Sequence, residues 1–103
     1  MKKIKVIIKQ PGRLPYVTHI SNTLENLQKN VGGYIEAAKL CTDFVVICNE
    51  EGVINNMPFN CSFCGNHWFG PLIFAGVKGD EFFDVPVGLS ELRKLLPTVF
   101  EVK

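Results

Sequence analysis

Phe44-Val45-Val46-Ile47-Cys48 is the stretch that most narrows what this chain can fold into. Five apolar residues stand in a row, between a Thr42-Asp43 turn and a second turn over residues 49–52. A short apolar run with no polar alternation predicts a central strand buried on both faces. Residues 2–10 show a different pattern. Ile4, Val6 and Ile8 point one way, and Lys3, Lys5 and Lys9 point the other. That is a half-buried strand whose lysines face solvent. Pro11-Gly12 signals a turn, and residues 15–20 read as the returning strand of a hairpin.

Asn22 is placed as a helix N-cap, with Glu25 as the reciprocal half of a capping box. Leu24, Leu27 and Val31 share one helix face, and Gly32-Gly33 ends the helix. Residues 34–40 form a third strand and residues 71–76 a fifth; between the fourth and fifth, residues 55–60 lead into the cysteine segment as a long irregular loop. Leu89, Leu92, Leu95 and Leu96 predict a short amphipathic helix stopped by Pro97, and residues 99–102 a last strand. The order β-β-α-β-β-loop-β-α-β predicts an α+β fold with a small mixed sheet and one crossing helix. Its opening hairpin, helix and return strand are β-grasp-like.

The 103 residues, 47% hydrophobic and 20% charged, fit a single globular domain over 1–103. No apolar run approaches the ~20 residues of a membrane span, so no membrane role is expected. The amino terminus lacks a signal-peptide core, and the expected location is the cytoplasm. There, four cysteines are expected as thiols or metal ligands rather than disulfides. Charge is unevenly spread. Residues 1–30 carry six Lys or Arg against one Glu, and residues 31–103 carry five against nine acids. The amino-terminal lysines could meet an acidic partner, or only solvate one strand.

Cys61-Ser62-Phe63-Cys64-Gly65-Asn66-His67-Trp68 holds the densest potential chemistry. Cys-x-x-Cys-Gly can present two thiolates from one tight turn. His67 and Cys48, or failing them Cys41 or His19, could complete a four-ligand zinc site. A second Cys-x-x-Cys, which would make zinc a strong reading, is not in the sequence. A redox pair needs a helix N-terminus behind the cysteines, and no helical periodicity follows them. Cys64 with His67 as base would make a nucleophile, but no oxyanion signature surrounds it. Otherwise Cys61 and Cys64 are plain thiols, one of them packed under an aromatic ring.

Phe59, Phe63, Trp68 and Phe69 cluster in the same segment. They either pack the loop on the sheet or anchor a protein partner. Nucleic-acid stacking needs interleaved basic residues, and none lies between Lys39 and Lys78. Adjacent Glu50 and Glu51 read as solvated turn residues, and Gly32-Gly33 follows a helix instead of opening one, the wrong polarity for a phosphate site.

Three phrases together resemble a known family: Val31-Gly32-Gly33-Tyr34-Ile35-Glu36, Val46-Ile47-Cys48-Asn49-Glu50-Glu51-Gly52 and Gly70-Pro71-Leu72-Ile73-Phe74-Ala75-Gly76. Met57-Pro58-Phe59-Asn60 fits between the last two. The family is an uncharacterised domain of bacterial chromosomes, plasmids and phages, resembled over residues 2–85. The resemblance implies a small cytoplasmic domain, often carried by mobile elements, with no catalytic residues to transfer. It also implies a packing role for Cys48, and makes the cysteine segment a local elaboration of what is usually a polar loop. The leading expectation is a non-enzymatic binding or regulatory domain that offers a sheet edge and residues 55–69 to a protein partner. The alternatives are a zinc-stabilised domain binding nucleic acid through its lysines, and a thiol-dependent enzyme.

Overall fold

The structure is a computed structural model and describes residues 2–102. The apolar run forms β4 (Phe44–Asn49), and all six of its residues are buried. It sits inside a sheet ordered β2 (Tyr16–Ser21), β1 (Lys3–Lys9), β7 (Leu72–Lys78), β4 and β3 (Ile35–Cys41), with β8 (Glu81–Phe83) on the far half of β7. A separate two-stranded hairpin, β5 (Phe59–Phe63) and β6 (Asn66–Phe69), lies across one face. The fold class is α+β, as expected.

Period-2 alternation sorts side chains into two layers. Ile4, Val6 and Ile8 of β1 join Val45, Ile47 and Ile73 under α1 (Leu24–Val31), whose Leu27 and Val31 are buried there. On the opposite face Ile7, Val46, Leu72 and Phe74 pack under the hairpin, under α2 (Leu89–Leu95) and under a 3-10 turn at Pro97–Phe100. A strand covered on both faces has no room for polar alternation, which explains the unbroken run of β4.

Every ladder among the described residues is antiparallel. The strand beside β1 is β7, late in the chain, while the strand following α1 lies at the outer edge. The β-grasp likeness is therefore not established by this arrangement.

Local expectations needed correction in several places. The cap of α1 is Thr23, whose Oγ1 accepts from the Asn26 N–H at 3.2 Å. Asn22 instead donates to the Phe82 carbonyl at 3.0 Å, tying the helix entry to β8. Leu24 stays exposed, so two of the three expected helix-face residues carry the packing. The strand expected at residues 99–102 is replaced by the 3-10 turn, which the Pro97 ring starts. Lys9, expected in solvent beside Lys3 and Lys5, is fully buried. The hairpin covers it: the Asn60 amide donates to the Lys9 carbonyl and to the Gly70 carbonyl, both at 2.8 Å. The Lys9 ammonium donates to the Gln10 carbonyl at 3.0 Å, and burial lowers its pKa against a smaller raising effect of Cys61.

Candidate functional site

The segment read as an irregular loop is this β5–β6 hairpin. Its turn is Cys64-Gly65, with φ of 51° and 76°. Positive φ at both central residues is the signature of a type I′ hairpin turn, where Asn-Gly is the usual pair. Cys-x-x-Cys-Gly is thus explained by turn geometry: Gly65 is there for its φ, and Cys64 occupies the position Asn commonly takes.

The hairpin separates the residues considered as ligands. Cys61 lies opposite Trp68 and is buried in the core, as is Phe63, whereas Ser62 and His67 face each other on the outer side. There the Ser62 hydroxyl and His67 Nδ1 are 2.6 Å apart. Cys64 is exposed at the turn. Cys48 lies in the sheet below, with its thiol 4.0 Å from Glu36 Oε1, while Cys41 and His19 are exposed on the two outer strands. Among the described residues no three His, Cys, Asp or Glu side chains are grouped to share a metal. Nor does a helix begin behind Cys61 and Cys64, as an activated redox pair needs.

The four aromatics also divide. Phe63 stacks on Trp68 with centroids 4.9 Å apart and an interplanar angle of 18°, and the Trp68 indole donates to the Phe63 carbonyl at 3.3 Å. Phe63 is core and offers nothing to a partner. Phe59 is 44% exposed, and meets His67 and Phe69 edge-on along the outer side. Trp68 and Phe69 are half-buried and form one wall of a groove.

That groove, with a cavity volume of about 480 Å³, runs between the hairpin and the outer strand β3. Its floor is Cys48 and Asn49, and its β3 side is Glu36-Ala37-Ala38. The turn after β4 closes its end with Glu50, Glu51, Val53 and Ile54. No lysine or arginine lines it. Val53 and Ile54 are 68% and 76% exposed, an apolar pair at the tip of an otherwise polar turn. Sequence reasoning missed these two residues. The available signal was their apolar character within a segment of Glu, Gly and Asn.

Asn49 fixes this end of the groove. Its amide donates to the Val31 carbonyl at 3.1 Å, and its Oδ1 accepts from the Glu51 N–H at 2.7 Å. Gly33 passes so close that a Cβ there would lie 2.9 Å from the Asn49 amide nitrogen. Met57 fills the space beside Gly32 and Gly70, where an added Cβ would meet its side chain at 3.3 Å and 2.8 Å. The four sequence phrases of the resemblance therefore converge on one junction of α1, β4 and the hairpin exit.

Burial raises both core thiols to about 11: desolvation acts on Cys48 with the Glu36 charge in support, and on Cys61 against the opposing effect of Lys9. Both remain protonated at neutral pH and are poor nucleophiles. A thiol reagent at pH 7.5 should label Cys41 and Cys64 rapidly and Cys48 and Cys61 only on unfolding. Rapid labelling of Cys61 in the native protein, read by peptide mass mapping, would contradict this placement.

Sheet, crossing helix and hairpin define a small α+β domain with a groove at one sheet edge. The chain belongs to the family described as a domain of unknown function (DUF3846), whose model matches residues 4–96. The match extends past the resemblance at residues 2–85 and takes in α2, which packs into the core through Leu92. No curated protein and no solved structure matches the chain. No helix among the described residues is long and apolar enough to cross a membrane.

Proposed function

We propose that this domain is a non-enzymatic binding module that takes a segment of a partner protein into the groove between β3 and the hairpin. A cytoplasmic accessory role on a phage or plasmid is consistent with it, and rests on the family resemblance alone. The observation that carries the reading is the combination at one sheet edge. An open strand edge, a sizeable groove and two exposed apolar side chains, Val53 and Ile54, occur together. Exposed apolar residues beside a concave surface mark interaction sites. The thiol-enzyme alternative is disfavoured by the raised pKa of Cys61 for a redox pair, and for Cys64 by its would-be base His67, whose Nδ1 is engaged by the Ser62 hydroxyl at 2.6 Å. The zinc alternative would need ligands that the hairpin places on different faces.

The test is a double substitution, Val53→Ser with Ile54→Ser. Both side chains are exposed, so the melting temperature should stay within a few degrees of the parent's. Crosslinked partner recovered from host cells should fall at least fivefold. Undiminished recovery with an intact thermal transition would move the site elsewhere.

A further inference from the structure

We infer that an extended polypeptide segment of another protein pairs along the free edge of β3 and sends lysine or arginine side chains, at alternate positions, past Glu36 and Ala38 into this groove. The inference rests on the binding reading above and specifies the partner's chemistry.

The edge comes first. β3 ends the strand order, so one side of it lacks a ladder partner. Proteins usually protect such an edge with charge, bulges or cover. Here the protection is one-sided. A register shift between Lys39 and Cys41 breaks the far half of the strand, and Lys39 stands beside it. Glu36-Ala37-Ala38 pairs in regular register with Cys48, Ile47 and Val46, and its two alanines leave the edge uncovered. This regular half is the part that borders the groove. A strand added there gains main-chain hydrogen bonds independent of its sequence, and side-chain pockets at every second residue supply selectivity.

Charge sets that selectivity. In a strand laid against β3, alternate side chains share the face of Glu36 and Ala38 and enter the groove. They meet Glu36, Glu50 and Glu51, all exposed, with no cation lining the site. Glu36 Oε1 lies 4.0 Å from the Cys48 thiol, and its charge adds to the larger effect of burial in raising that thiol's pKa. The methylene stems of lysine or arginine would lie on Val53, Ile54 and Trp68 while their charged ends reach the carboxylates. A nucleic-acid backbone would be repelled by the same groups.

The occupant is not a second copy. The chain's own alternating basic strand is β1, with Lys3 and Lys5; β2 pairs it on one side, and on the other β7 pairs Ile7–Lys9 while Asp84 and Val85 take up the Lys5 N–H and carbonyl. Neither backbone group of Lys5 is left to pair with another chain.

The probe is a fluorescein-labelled octapeptide alternating lysine with threonine, read by fluorescence anisotropy beside its glutamate and glutamine counterparts. The lysine peptide should bind, weaken as salt rises, and bind at least tenfold more weakly to a Glu36→Gln, Glu50→Gln, Glu51→Gln triple variant. These side chains are exposed, so the variant should melt like the parent. Equal binding to parent and triple variant overturns the inference. Equal binding of the glutamine or glutamate peptide, abolished by Val53→Ser with Ile54→Ser, overturns the charge preference and leaves the binding reading standing. No binding by any peptide overturns the inference, and the crosslinking experiment then decides the reading beneath it. A parent dimer in sedimentation that the triple variant disperses would overturn it too, making a second copy the occupant.

Discussion

Gly76→Ala should destabilise this domain by about 3 kcal/mol, a drop of roughly 12 °C or more in melting temperature, although it adds a single methyl group. Gly76 lies in β7 where the ladder to β4 meets the ladder to β8, opposite Phe44 on one side and Phe83 on the other. A Cβ there would come within 2.3 Å of the Asp84 carbonyl oxygen. That oxygen belongs to backbone and has little freedom to retreat. The Asp84 carboxylate accepts from the Lys5 N–H at 2.7 Å, and the next residue, Val85, donates to the Lys5 carbonyl at 2.8 Å. These contacts hold the segment after β8 against β1, so the methyl can be admitted only by parting it from the sheet. Thermal unfolding followed by circular dichroism measures the effect. A variant melting within 3 °C of the parent would show that the segment after β8 is loosely held.

Asn49→Leu should cost about 2–4 kcal/mol for a different reason. Asn49 is buried and serves two backbone groups, the Val31 carbonyl and the Glu51 N–H. Leucine leaves both without their partner and presses a branched side chain toward Gly33. Asn49→Asp keeps an acceptor for Glu51 but sets a buried carboxylate against the Val31 carbonyl beside Glu50 and Glu51, so its loss should be at least as large. Asn49 also orients the turn that bears Glu50 and Glu51. The folded fraction of Asn49→Leu should therefore bind the lysine-threonine peptide several-fold more weakly than the parent. Urea unfolding gives the stability, and anisotropy at low denaturant gives the affinity. A fully stable leucine variant would mean that the junction is held by Met57 packing rather than by these hydrogen bonds.

How much was legible in the sequence depended on how local the determinants are. The unbroken run at β4, the alternation of β1, and Gly32 closing α1 were all readable, because each follows from residue periodicity or one backbone conformation. Lys9 was misplaced because its burial is imposed by Asn60, which is 51 residues away and holds the hairpin over the end of β1. The hairpin was missed because Cys-Gly in a turn looks like half a metal knuckle. Only the strand register shows that Cys61 faces inward while His67 faces out. The groove was the least legible feature. Its acids come from β3 and from the turn after β4, and its apolar wall from that turn and from β6. Val53-Ile54, an apolar pair in a polar turn, was the trace it left in the sequence.

The central claim is that an incoming segment extends the sheet at β3, and amide hydrogen exchange with and without the lysine-threonine peptide measures that directly. An antiparallel or parallel neighbour along Glu36-Ala37-Ala38 must take up outward-facing amides that otherwise meet solvent. Added peptide should slow exchange at residues 35–38, with a smaller effect at residues 66–69 across the groove and none at β2 on the opposite edge of the sheet. Protection at β2, or unchanged exchange at residues 35–38 while the peptide is bound, would contradict it.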